Sequence, residues 1–83
     1  MEKKSLQRAA LHVARDLAGG VTYLARKLGV GVNSLDEMLH GKTEVASWVF
    51  LRAVDFINEE RDESYIPPGF PPDWRDQPSG GEQ

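Results

Sequence analysis

The chain has 83 residues, no cysteine and a formal net charge of −3, which leaves room for one modest core and excludes disulfides and thiolate metal sites as supports for it. No run approaches the roughly 18 apolar residues needed to cross a bilayer, and no apolar stretch of the signal-peptide kind follows Met1-Glu2-Lys3-Lys4, so a soluble, cytoplasmic protein with no membrane contact is expected. The net charge hides a gradient: residues 1–30 carry six basic and two acidic side chains (+4), residues 31–60 two and six (−4), and residues 61–83 two and five (−3). A basic first third suits contact with phosphate while the remainder faces water or protein.

All five prolines lie beyond residue 66. They divide the chain into a helix-compatible domain over residues 1–62 and a proline-rich tail over 63–83. Within the domain, Leu6, Ala9, Ala10, Val13, Ala14 and Leu17 follow the spacing of an amphipathic helix, and Gly19-Gly20 ends it. A short helix is predicted from about Thr22 to Leu28, with Leu24, Ala25 and Leu28 inward. Gly29 breaks it. A second short helix runs from about Val32 or Ser34 to His40, buries Leu35, Met38 and Leu39, and is closed by Gly41. The fourth, about Val45 to Glu60, presents Ala46, Val49, Phe50, Ala53, Val54 and Ile57 as one apolar face, widened by Val45 and Phe56. No alternating β-branched run exists, so the fold class is all-α with a non-helical tail.

The segment from Val21 to Gly41 is the most specific. Each of its fixed positions answers a physical demand of two short helices joined by a tight turn. Ala25 sits where the helices cross closely. Gly29 occupies a turn position with positive φ, which a Cβ would strain. Val30 plugs the turn, and Leu35 docks the second helix on the first. The pattern L-A-x-x-L-G-V followed by L-x-x-x-L-x-G resembles the lambda-repressor and Cro family of small bacterial or phage DNA-binding proteins, with Lys27-Leu28-Gly29-Val30-Gly31 especially typical. The likeness also takes in the preceding and following helices and so spans most of residues 6–60.

The resemblance implies a four-helix, lambda-repressor-like helix-turn-helix domain acting as a transcriptional regulator on double-stranded DNA. In that family the second helix of the motif enters the major groove and the first crosses the backbone. Carried onto this chain, Val32, Asn33, Ser34 and Glu37, with Asp36 beside them, would face the bases. Lys3, Lys4, Arg8, Arg26, Lys27 and Lys42 would meet phosphate. Asn33 suits adenine, Val32 a thymine methyl, and Ser34 a base or phosphate. The chain departs from the family in having no Arg, Lys or Gln on this helix and in carrying Asp36 and Glu37. A carboxylate's one good base partner is the cytosine amino group. Ser34-Leu35-Asp36-Glu37 also reads as a capping box, in which Ser34 caps the helix and Glu37 bonds back to it; this role outranks base reading for Glu37.

Trp48 and Leu51 fall opposite the apolar face of the fourth helix, and such a pair calls for a cover. One cover is a homodimer built on helix 45–60. The favoured one is the tail, whose segment 65–74 supplies Tyr65, Ile66, Phe70 and Trp74 on a stiff frame and is expected to fold back over the patch. A third reading makes that segment a ligand for a partner's aromatic groove. Residues 77–83 have no apolar anchor and are expected to be disordered. His12 lies beside the apolar face of the first helix, and His40 is placed to meet the terminal carbonyls of its own helix. No metal-ligand spacing, nucleophile–base pair or phosphate loop stands out, so neither cofactor, metal nor enzymatic activity is expected. The alternative to a DNA-binding regulator is a protein-interaction module on a helix-turn-helix scaffold that has lost its groove chemistry.

Overall fold

Four helices follow one another in the order the periodicity predicts: α1 (Lys3–Ala18), α2 (Val21–Leu28), α3 (Val32–Leu39) and α4 (Ser47–Glu60). The structure is a computed structural model that describes residues 3–76, with side chains for residues 6–75. The expected disorder of 77–83 therefore lies outside the described residues. No strand occurs among them. The radius of gyration is 11.6 Å, about that of any close-packed chain this long. No helix among the described residues is long and apolar enough to cross a membrane.

The core forms because every helix turns an apolar stripe toward α1. That helix packs on α2, α3 and α4, most extensively on α4. Leu24, Ala25 and Leu28 of α2, Leu35 and Leu39 of α3, and Val49, Phe50, Ala53, Val54, Phe56 and Ile57 of α4 are all buried. The wholly buried Ala10, Ala14 and Ala53 keep side-chain bulk low where backbones must come close. On α1 itself the buried stripe differs from the predicted one. Leu6, Gln7, Ala10, Leu11 and Ala14 are buried, while Ala9, Val13 and Leu17 are only half-buried. A helix touched by three neighbours buries a wider arc than a surface helix does, which draws in Leu11 and Gln7. The Gln7 amide nitrogen has no hydrogen-bond partner there, a desolvation cost the rest of the core offsets.

The tail is part of this core rather than a cover for the outer face of α4. Trp74 is fully buried among the core residues, edge-on to Phe70 with ring centroids 5.4 Å apart. Its indole N–H donates to the Tyr65 carbonyl at 3.3 Å. Arg75 ties the segment down by donating to the Asn58 side chain (2.7 Å) and to the Tyr65 and Asp62 carbonyls (2.8 and 3.0 Å). The Ser64 hydroxyl and then the Ser64 amide, both donating to Asp62, hold that carboxyl below its ordinary value of 3.8.

Two expectations are corrected by this arrangement. The tail is not wholly non-helical, because Trp74–Asp76 closes in a single 3₁₀ turn. It also leaves Trp48 and Leu51 uncovered, at 48% and 56% exposure. The reason is reach: the chain turns back at Asp62 and is fastened beside Asn58, roughly 15 Å along the helix axis from Trp48 at 1.5 Å per residue.

Candidate nucleic-acid interface

The α2–α3 pair is held by three contacts at helix ends. At the first, Gly29 takes the left-handed conformation (φ 76°, ψ 32°), and the N–H groups of Gly29 and Val30 both donate to the Ala25 carbonyl, at 2.9 and 3.0 Å. Arg52 reaches from α4 to the same end and donates Nη1–H to the Leu28 carbonyl at 3.0 Å. Two carbonyls left over at the end of α2 are thus satisfied, one by the turn and one by a cation that the helix dipole favours.

At the second, α3 ends in a Schellman motif. Gly41 has φ 76°, its N–H donates to Met38, and the Lys42 N–H donates to Glu37 at 2.9 Å. His40 Nδ1 lies 2.8 Å from the Asp36 carbonyl and 3.3 Å from the Asp36 carboxylate, so the histidine does engage a carbonyl of its own helix.

The third contact comes from α1, where Arg8 and His12 stand one turn apart and both reach the end of α3. His12 Nε2 is 2.9 Å from the Leu39 carbonyl, which makes Nε2 the protonated nitrogen. The Arg8 guanidinium lies against Gly41, where a Cβ would come within 3.3 Å of Cζ. The C-terminus of α3 is pinned to α1, and its N-terminus is left outward. His12→Ala is expected to cost about 1 kcal/mol of stability, the ordinary net worth of such a bond. An unchanged urea midpoint would show that the bond contributes nothing.

The start of α3 corrects the capping-box expectation. The helix begins at Val32, with Gly31 extended at φ −69°, ψ 146° and no side-chain cap. The Gly31 carbonyl already accepts the Leu35 N–H at 3.0 Å, so the first turn starts at Gly31 and takes Ser34 inside it. Ser34 is the third helical residue, and Glu37 does not bond back to a cap. Val32, Asn33, Ser34, Asp36 and Glu37 are all exposed. The first-turn N–H groups have no intrahelical partner and face solvent with the positive end of the dipole.

The basic residues separate into groups the sequence did not distinguish. Arg26 and Lys42 are exposed, Arg26 beside a cleft of about 450 Å³ that Gly19, Val21, Thr22 and Tyr23 also line, and Lys42 just past the end of α3. Lys27, its neighbour on α2 and likewise exposed, lines a different cleft of about 280 Å³ shared with Arg52, Asp55, Phe56 and Glu59 of α4. Arg8 is half-buried, and its Nε is buried without a partner. Lys3 and Lys4 open α1, and their expected phosphate contacts concern side chains outside the described set. Family models, curated proteins and solved structures give no match to this chain.

What the α2–α3 face offers chemically is hydrogen bonding and charge. Amide N–H groups, the Asn33 amide and the Ser34 hydroxyl form a donor-rich tip, and the Glu37 carboxylate is an acceptor one turn behind. Among the described residues no group of three or more His, Asp or Glu side chains could hold a metal ion. The roles of Arg52 and His12 in fixing helix ends were not visible in sequence, since neither stands near its target along the chain.

Proposed function

We propose that α2, its turn and α3 are a helix-turn-helix of the lambda-repressor type, and that the chain is a DNA-binding transcriptional regulator. The observation that carries this reading is the mounting of α3. Its C-terminal end is fastened by the turn at Gly41 and by His12, while its uncapped first turn presents Val32, Asn33 and Ser34 to solvent. A helix fixed at one end and offering donors at the other suits insertion into a major groove. Asn33 would pair with adenine, Val32 would touch a thymine methyl, and Glu37, free of any cap, would accept from a cytosine amino group. Arg26 and Lys42 would meet the flanking phosphates.

A titration of the full chain with mixed-sequence duplex at several salt concentrations tests this. Binding is expected to weaken steeply with salt, and Arg26→Ala should reduce the salt slope by about 1. Lys27→Ala should reduce the slope less, because Lys27, though exposed, shares its cleft with the acids Asp55 and Glu59. Absence of binding at low salt and high micromolar protein overturns the reading. A second reading, a protein-interaction module on the same scaffold, is favoured by the exposed Trp48 and Leu51 and by the two acids on α3. It takes the place of the first if duplex DNA is ignored. The tail contributes little to it, since Trp74 and Pro67 are buried in the chain's own body.

A further inference from the structure

The outer face of α4 carries a regular row that neither the core nor the α2–α3 face uses. Trp48, Arg52, Asp55 and Glu59 recur in steps of four, three and four, the spacing of one helical stripe, and all four are exposed. Leu51 flanks them, also exposed. Arg52 is already fixed by its bond to the Leu28 carbonyl, and its guanidinium lies 5.2 Å from the centre of the Trp48 ring. The indole is therefore held on an ordered support, which lowers the entropy lost when a partner covers it. Tryptophan and arginine are also the residues that most often carry interface energy.

In chain order the stripe is aromatic, basic, acidic, acidic. Reversed, it is its own complement. Two copies of α4 laid antiparallel about a two-fold axis midway between positions 52 and 55 place Arg52 opposite Asp55 of the second copy, and by symmetry this happens twice. The same register brings Trp48 level with Glu59 of the second copy, whose carboxylate can accept the indole N–H. Beside that glutamate lies the cleft of about 280 Å³ that Phe56 and Lys27 also line, which offers room for the edge of the ring. A parallel pairing would instead bring like charges together.

We propose that this stripe is a homodimer surface and that a second copy of the chain packs antiparallel on it. The proposal does not depend on what α3 contacts. One helix face falls short of the roughly 800 Å² per partner of a standard interface, so the dimer is a weak one.

Sedimentation velocity of the full chain at low salt tests it between about 10 μM and about 1 mM, the range where weak association is read. The mass should rise from one chain toward two. Asp55→Arg sets two arginines against each other and should weaken the dimer by about tenfold or more. Trp48→Ala, at an exposed position, should do the same with an unchanged circular dichroism spectrum. A mixture of the Asp55→Arg chain with an Arg52→Asp chain should restore the pairing, provided the latter keeps its helical spectrum after losing its bond to Leu28. A wild-type chain that stays monomeric throughout overturns the proposal, as does a dimer that Asp55→Arg and Trp48→Ala leave intact.

Discussion

Trp74→Ala is expected to remove about 3–5 kcal/mol of folding stability, the usual cost of truncating a buried aromatic side chain. Trp74 is fully buried in the core, yet it lies fourteen residues beyond the last residue of α4, Glu60. Domains of this size have only about 5–15 kcal/mol in total, so the variant should melt at least roughly 12 °C lower. Trp74→Phe should lose less, since it keeps most of the volume and forfeits only the long bond to the Tyr65 carbonyl. Urea unfolding followed by far-ultraviolet circular dichroism measures both. A loss below about 1 kcal/mol for the alanine variant would mean that the tail is not part of the cooperative core.

Gly29→Val should cost about 2–3 kcal/mol, the upper part of the range for a non-glycine residue held left-handed, because a branched Cβ is poorly tolerated there. The position has φ 76°, and an added Cβ would also come within 2.9 Å of Arg52 Nη1. The guanidinium would have to leave the Leu28 carbonyl, so the α2–α3 turn and the α4 contact would loosen together. Gly29→Asn should be milder, since asparagine visits this conformation more readily. Equal unfolding midpoints for the Val and Asn variants would show that the backbone conformation is not what limits the site.

Much of the fold is legible in the sequence because it depends on local signals. Helical spacing gives the four helices, and the Gly29 conformation follows from a turn that only a residue without a Cβ adopts cheaply. The misses share one cause, which is dependence on what lies across the fold. Leu11 and Gln7 are buried because α1 meets three helices, a fact of topology rather than of periodicity. Trp74 enters the core instead of covering Trp48 because Arg75 and Asn58 fasten the tail near the end of α4. Ser34 and Glu37 have the spacing of a capping box, but a Gly31 carbonyl one turn earlier starts the helix without them. The basic residues of the candidate interface were legible as a set and not as individuals. Arg26 and Lys27 are adjacent in sequence, and 100° of helix rotation sends them to different clefts.

The most direct test of DNA contact through α3 is an NMR titration of the labelled full chain with duplex DNA at low salt. The largest shift changes should fall on the backbone amides of Val32, Asn33 and Ser34 and on the side chains of Asn33 and Arg26, with Trp48 and Leu51 little affected by the duplex itself. A spectrum that does not change with duplex, or one whose changes centre on Trp48 and leave the first turn of α3 untouched, would contradict it.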